Sequence, residues 1–442
     1  MALPRPAPTL EELIGKLGSH AVQRVLHAQV GPTPGGQYRH WDTVRRLSPP
    51  NDLTTEQWWF GIKLARASQL RRLDLTDAEG LSFVYSIPDE AMEQLHYIDK
   101  HCAGEVSMPE VVTGDAAARR TYLVNSLIEE AIRSSQLEGA NTTRKVAKEM
   151  LRTGRPPRDR SERMIANNYR GLEYIREEMD GYLTAESVLE LHRILTEDTL
   201  DNPDAAGRLQ RPDEERVHVG GPYGEVAHTP PPAAQLPKRL ELMCRFANGE
   251  LPRQGFIHPV VRVVLLHFWL AYDHPFEDGN GRTARALFYW CMRREGYWLT
   301  EYLSISKILR QAPAKYGRSF LFTESDERDT TYFLLYHLEV IVRATHELQG
   351  YLQRKIQDIR EVERHIRRAD HFNYRQLELL KNAMREPSAV YTFVSHARSH
   401  QVTHQTARTD LLDLERRGLL VRHKVGRKFA FSPPADLLER LR

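Results

Sequence analysis

The chain has 442 residues, 62 Lys and Arg against 59 Asp and Glu for a formal net charge of +3, and three cysteines. That length implies two or three folding units with room for a sizeable core. Cys102, Cys244 and Cys291 are too few and too far apart for a disulfide framework or a zinc pattern, no apolar h-region follows Met1, and no apolar run reaches bilayer length, so a soluble cytoplasmic protein with buried thiols and no membrane partner is expected.

Residues 1 to about 40 are rich in Pro and Gly at both ends around a short helical pattern from Thr9 to Val30, and read as a loosely attached arm. From Tyr38 to Tyr85 polar and apolar residues mix. Trp41, Trp58, Trp59 and Phe60 supply anchors, and Thr54 or Thr55 caps a helix predicted to run to about Leu73. A further helix is predicted over Asp89 to His101. From Asp115 to Leu137 the residues Leu123, Val124, Leu127, Ile128, Ala131 and Ile132 keep helical spacing on one face. Gly139 then suits the left-handed residue past a helix end, and Glu138 faces the negative end of the dipole unless a cation answers it.

Arg152 to Arg163 reads as a charged, Pro-containing linker, followed by helices over Met164 to Met179 and Thr184 to Leu195. Between Arg208 and Pro232, Val217, His218 and Val219 alternate as a short strand that turns at Gly220-Gly221-Pro222, which predicts a small hairpin. Its edge offers unpaired backbone groups to which a partner segment can add. Helix resumes from Leu236 to Phe246. Ten of the thirteen residues from Val260 to Tyr272 are Val, Leu, Phe, Trp or Ala, too long for an ordinary strand and expected as a buried helix. His258 and His267 lack zinc spacing and read as structural.

The chemistry concentrates in His274-Pro275-Phe276-Glu277-Asp278-Gly279-Asn280-Gly281-Arg282-Thr283-Ala284-Arg285, set between that helix and a second apolar one. Backbone N–H groups of Gly279, Asn280 and Gly281, taking positive φ, can form an anion nest at the positive end of the following helix. Arg282 and Arg285 share a face and present two planar forks to phosphate oxygens. Asp278 suits a Mg²⁺ ion completed by phosphate and water, and a neutral His274 suits proton abstraction from an incoming hydroxyl. Asp273 hydrogen-bonds or orients His274, or faces solvent. Together these describe a phosphoryl- or nucleotidyl-transfer site.

At every fixed position this stretch resembles the signature of the Fic (filamentation induced by cAMP) family, His-x-Phe-x-Asp/Glu-Gly-Asn-Gly-Arg-x-x-Arg. The resemblance implies transfer of AMP from ATP to a Ser, Thr or Tyr hydroxyl of a protein, the chain itself included. His274 would be the base, Phe276 the core anchor and Asp278 the holder of Mg²⁺, with Gly279, Asn280, Gly281, Arg282 and Arg285 the triphosphate cradle. It extends to Ser134-x-x-x-Glu138-Gly139, which matches the family's inhibitory motif, so that Glu138 would pair with Arg285 and block the γ-phosphate. The same carboxylate could orient a water for AMP removal. The hairpin around Val217, His218 and Val219 corresponds to the flap that docks the target, and Tyr316 to an adenine-side contact, although Gly317 stands where a second aromatic is common.

Past the motif, Tyr302 to Tyr316 and Thr331 to Glu361 are predicted helical. From Pro387 to Phe431 eight basic residues face three acids, a local charge of +5, while the rest of the chain, with 54 basic and 56 acidic residues, sums to −2. Helices over Tyr374 to Met384, Ala389 to Ser399 and Thr403 to Arg417, followed by a strand over Lys424 to Phe431, look like a winged helix-turn-helix. Thr403, His404, Gln405 and Arg408 would reach base edges of double-stranded DNA, and Arg422, Lys424, Arg427 and Lys428 its phosphates. The expected fold is mainly α, with an N-terminal extension over 1–114, a Fic core with inhibitory helix and hairpin flap over 115–365, and the winged unit over 366–442. The expected activity is that of an autoinhibited protein adenylyltransferase, with a homodimer as one assembly. The competing reading is a DNA-binding regulator whose core senses nucleotide, and intact His274, Asp278 and Asn280 weigh against it.

Overall fold

The computed structural model describes residues 3–103, 116–217, 219–220, 226–251, 255–368, 372–385, 389–425 and 428–441. In chain order the helices are α1 (Leu10–Lys16), α2 (Ser19–His27), α3 (Trp41–Val44), α4 (Thr55–Ala67), α5 (Asp89–Cys102), α6 (Ala116–Leu137), α7 (Arg144–Thr153), α8 (Arg160–Glu177), α9 (Ala185–Thr196), α10 (Leu236–Asn248), α11 (Pro259–Asp273), α12 (Asn280–Arg294), α13 (Ile305–Gln311), α14 (Pro313–Glu324), α15 (Thr331–Arg368), α16 (Tyr374–Arg385), α17 (Phe393–His400), α18 (His404–Arg416) and α19 (Leu437–Arg440). Strands β1 (Arg71–Thr76) and β2 (Ser82–Tyr85), β3 (Val219–Gly220) and β4 (Val226–His228), and β5 (Val421–Val425) and β6 (Lys428–Ser432) form three separate antiparallel hairpins. The fold is mainly helical. Among the described residues no helix is long and apolar enough to cross a membrane.

Two compact units divide the chain: residues 1–104 with 126–345, and 105–125 with 346–442. The first is organised around α11. Its residues Val260, Val261, Val263, Val264, Leu265, Leu266, Phe268, Trp269 and Leu270 are all buried, so this helix is surrounded by protein on every side, and α10 and α12 pack directly against it. Pro259 opens it at N1, where its missing N–H costs nothing, and the His258 ring caps it by accepting from Val260 N–H.

The first forty residues are not a loose arm. Leu13 and Val25 bury against Trp58, Trp59 and Ile62 of α4, the amide of Ala7 donates to Ser325 O at 2.8 Å, and Trp59 Nε1 donates to Pro8 O at 3.2 Å. The Pro-rich segment is extended and supplies carbonyls to buried donors, a use that composition does not reveal. Arg66 takes the carbonyls of Pro32 and Arg39 and the hydroxyl of Tyr332, and its guanidinium stacks 3.6 Å from the ring of Tyr38. Lys63 reaches Asp326 at 2.7 Å and Glu327 at 2.6 Å. Helix α4 also ends at Ala67 rather than near Leu73. Leu73, Leu75, Phe83 and Tyr85 alternate inward, and this period of two places the segment in the β1–β2 hairpin.

The expected linker over Arg152 to Arg163 is shorter, because α7 reaches Thr153 and Arg155 folds back onto Glu162 at 2.8 Å. In the second unit Leu379, Leu380, Leu411, Leu414, Leu419, Phe431 and Leu437 join α16, α18, the β5–β6 hairpin and α19 in one core. Helix α17 starts at Phe393 rather than Ala389, since Tyr391 pairs its backbone with Phe431 and Thr392 closes a capping box with Ser395. The single expected strand is a hairpin, Val421 opposite Ser432 and Val425 opposite Lys428.

Replacing Lys63 with Ala strands Asp326, whose side chain is 1% exposed. The expected loss is about 3 kcal/mol of stability, measured as a lower denaturant midpoint at unchanged slope.

Candidate active site

The loop from His274 to Gly279 joins two helices that cannot move apart, and each of its turns is braced. His274 caps α11 in the left-handed region at φ 45°, ψ 53°, unusual for a residue with a Cβ and costing on the order of 1–2 kcal/mol. Arg216 compensates by donating to Asp273 O at 2.8 Å, His274 O at 3.1 Å and Pro231 O at 2.9 Å. The Asp273 side chain takes no part in orienting the imidazole and does not face solvent. It is buried against Arg239 at 2.6 and 2.8 Å and accepts from Trp269 Nε1 at 3.1 Å, which makes it an anchor for the helix end.

Phe276 is fully buried and its ring stacks on His192 with centroids 3.7 Å apart. His192 Nδ1 accepts from Gly207 N–H at 3.0 Å, so Nε2 carries the proton and donates to Asp278 O at 2.9 Å. Burial pushes the pKa of this imidazole down to about 4, in keeping with a neutral ring. Asn280 gives both ends of its amide to Phe276, accepting from its N–H at 3.0 Å and donating to its carbonyl at 2.8 Å.

The nest of three positive-φ residues is not what forms. Only Gly279 is left-handed, at φ 84°, while Asn280 and Gly281 already belong to α12. Any Cβ on Gly279 would also lie 2.7 Å from Thr196 Cγ2. The free backbone donors of this turn are therefore those of the α12 N-terminus itself, with the Asn280 side chain bracing the loop. Arg282, fully buried, donates to Leu195 O at 2.9 Å and approaches Asp278 Oδ2 at 3.4 Å, and its Nε has no hydrogen-bond partner among the described residues. Arg285, 1% exposed, donates to Ser134 Oγ at 2.8 Å, Ser134 O at 3.0 Å and Glu138 Oε1 at 2.8 Å. The Glu138 carboxylate lies so close over the first turn of α12 that a Cβ on Gly281 would meet its oxygen at 2.2 Å. Gly139 is left-handed, at φ 93°.

His274 Nδ1 is 3.4 Å from Ala271 O, a contact that favours the proton on Nδ1, and Nε2 meets no hydrogen-bond partner among the described residues. Burial lowers its pKa to about 4. Asp278 keeps 43% of its side chain exposed and is flanked by Arg282 and, at 4.0 Å, Arg160. Among the described residues no three His, Cys, Asp or Glu side chains form a metal cluster. One half-exposed carboxylate beside a buried guanidinium whose Nε has no partner among the described residues fits a Mg²⁺ whose other ligands are phosphate and water oxygens.

Tyr316 turns its hydroxyl to His267 Nε2 at 3.0 Å and sits close enough to Arg285 for the guanidinium to act on it. His258, meanwhile, meets Asp99 at 3.0 Å. In the hairpin Val219 pairs with His228 and Gly220 with Val226, Val217 is half-buried, and His218 lies outside the described residues. His228 hydrogen-bonds Tyr272 O at 2.7 Å and Glu324 at 3.0 Å, tying β4 to α11 and α14.

In the second unit Thr403 is spent as the cap of α18, accepting from Thr406 N–H at 3.2 Å, while His404, Gln405 and Arg408 are exposed. Arg416 and Arg417 both meet Asp413 and Arg422 meets Glu415 at 3.0 Å, which offsets part of the positive charge. Lys424 is exposed, Lys428 lies on β6, and Arg427 is outside the described residues. His192, Arg216, Arg239 and Arg160 escaped the sequence reading. Each comes from 35 to 114 positions before His274 and carries no local motif.

Residues 182–292 match the model of the Fic/DOC family, so the chain carries a Fic/DOC domain. It is 34% identical over 116 residues to the protein adenylyltransferase Fic of Drosophila mojavensis and 35% identical over 115 residues to that of Drosophila melanogaster. Those alignments take in 26% of this chain and 20% and 21% of the two relatives, so the match spans about a fifth of their length. The fold is similar to the crystal structure of a Fic family protein from Desulfovibrio desulfuricans G20, with a TM-score of 0.52 at 17% identity, over 82% of this chain and 99% of that one. Glu138 and the second unit lie outside the stretch that the family model matches.

A proton on His274 is disfavoured by burial, so the imidazole should stay neutral from pH 8 down to about 5 and titrate near 4. NMR of ring-labelled protein, with His274→Ala identifying the resonance, is expected to show that late midpoint. A midpoint near 6.5 would mean a solvated ring.

Proposed function

We propose that this chain is an autoinhibited protein adenylyltransferase. The observation that carries the reading is a neutral imidazole with a free Nε2, held on the same six-residue loop as Asp278, at the start of a helix whose first two turns carry Arg282 and Arg285. His274 Nε2 accepts the proton of a Ser, Thr or Tyr hydroxyl, whose oxygen attacks the α-phosphorus of ATP. The bond from that phosphorus to the β-phosphate oxygen breaks and pyrophosphate leaves. The α12 N-terminus with the two guanidiniums answers the negative charge of the triphosphate. A Mg²⁺ on Asp278 would neutralise phosphate oxygens when bound.

Glu138 is the brake. A carboxylate 2.8 Å from a buried guanidinium and a γ-phosphate cannot both hold it without like charges meeting at short range. The hairpin formed by β3 and β4 offers its edge for docking the target segment, and the target is a protein, this chain included. The second unit supports the reading of a winged helix-turn-helix in which α18 presents His404, Gln405 and Arg408 to double-stranded DNA, with Lys424 and Lys428 near phosphates. Three buried free cysteines support action in the cytoplasm.

Incubation with radioactive ATP tests the reading. Glu138→Gly should label itself and a protein acceptor about tenfold or more above wild type, the factor equivalent to about 1.4 kcal/mol of regained ATP binding. Adding His274→Ala to that variant should remove about 10²–10⁴-fold of the rate. Equal labelling by all three proteins would remove both roles.

For the second unit, retardation of duplex DNA at low salt should weaken in Arg408→Ala and vanish as salt rises. No retardation at low salt would rule out the DNA reading.

A further inference from the structure

Helix α6 and the residue just past its end carry four polar residues at intervals of four, Ser126, Glu130, Ser134 and Glu138, of which the first three lie along one helix face. Ser134 and Glu138 meet Arg285. The two earlier positions meet the segment that opens α13. Ser126 Oγ donates to Tyr302 O at 3.1 Å, and Glu130, 2% exposed, accepts from Ser304 Oγ at 2.8 Å, Ser306 N–H at 3.1 Å and Ser306 Oγ at 2.5 Å. Among the described residues Glu130 has no salt-bridge partner; burial raises its pKa, and the hydrogen bonds from Ser306 and Ser304 oppose that rise. Tyr289 lies one turn beyond Arg285 on α12 and accepts from Ile305 N–H at 3.0 Å. Two rungs thus join α6 to α12 and its neighbour, Glu130 at one level and Ser134 with Glu138 at the other.

A buried carboxyl group whose oxygens are engaged leaves its site reluctantly, because any slide or rotation of its helix exposes unpaired polar atoms to an apolar surrounding. Elsewhere α6 is tied by Ser135 Oγ to Met164 O at 3.2 Å, by Asn168 to Ala131 O at 3.2 Å and by a Glu129–Arg144 ion pair at 2.6 Å whose arginine is half exposed and screened by solvent. The buried anchor at Glu130 is therefore the stronger constraint on where the helix sits along its axis.

We propose that Glu130, through Ser304 and Ser306, is a positioning residue that sets the register of α6 and thereby keeps Glu138 on Arg285. The proposal rests on Glu138 as the inhibitory carboxylate. Among the described residues Glu130 makes no hydrogen bond or ion pair with the loop from His274 or the two site arginines, although its carboxyl group acts on Arg285 through space; the part of its effect that runs through the position of Glu138 is the part that disappears when Glu138 is removed. Displacement of the Tyr302–Ser306 segment is transmitted to the brake by the same route.

The test is AMP transfer from labelled ATP by wild type, Glu130→Ala, Glu138→Gly and the double variant, with melting temperatures measured alongside. Glu130→Ala should exceed wild type by about fivefold or more and fall short of Glu138→Gly. The double variant should equal Glu138→Gly, because a lost brake cannot be released again. Glu130→Gln, whose amide oxygen still accepts from the serine hydroxyls, should return toward wild type. Ser306→Ala should repeat the release at smaller size and carries the test if Glu130→Ala does not fold.

Activity of Glu130→Ala at or below wild type while Glu138→Gly is raised would overturn the proposal. An equal factor of change in both backgrounds would do the same, since it places the effect on the transfer site itself. If Glu138→Gly alone matches wild type, the inhibitory reading is what fails, and the role of Glu130 falls with it.

Discussion

One guanidinium governs the site. Arg285 is 1% exposed and its donors are taken by Ser134 and Glu138, both from the end of a helix some 150 residues earlier in the chain. A buried guanidinium cannot discard its proton, so something anionic or strongly polar must face it in every state of the protein. Here the chain's own carboxylate at Glu138 meets that obligation, at 2.8 Å.

Meeting that obligation demands a rigid frame. The loop from His274 to Gly279 contains two left-handed residues, one of them a histidine, and would relax if left to local preference. Arg216 pins its first carbonyls, Arg239 pins Asp273 and with it the last turn of α11, His192 stacks on Phe276 and holds Asp278 O, and Asn280 closes the turn onto Phe276. None of these groups needs to touch substrate. Their work is to keep the imidazole, the half-exposed carboxylate and the helix N-terminus in one fixed relation, which is the arrangement that electrostatic catalysis requires.

Legibility followed sequence distance. The helices read correctly where a single periodicity ran long enough, as over Val260 to Tyr272, because a wholly apolar stretch of that length has few ways to be satisfied. The candidate site residues were legible as a group because twelve consecutive positions contain them, and their spacing alone places two arginines on one face. The first forty residues were misread because Pro and Gly signal irregular backbone without saying whether it is buried. Their ties to Trp59, Arg66 and Ser325 depend on partners up to 318 positions away. The stop of α4 at Ala67 was missed for a related reason. A short alternating segment with arginines at its start looks like a helix end until Phe83 and Tyr85 are seen to face it.

By itself the amino-acid sequence determined a mostly helical protein, a buried central helix, a contiguous loop that carries a histidine, a carboxylate and two arginines, and a basic C-terminal segment. Periodicity, propensity and short motifs act over a few residues, and that is their whole range. Only the tertiary structure decided that Asp273 belongs to Arg239, that the Asn280 amide braces the loop onto Phe276, that His274 Nδ1 faces Ala271 O, and that Glu138 rests on Arg285 with Glu130 anchored behind it. Those pairings bring together residues from helices far apart in the chain. Burial fixes which charges must find one another, and only a folded chain brings them within reach.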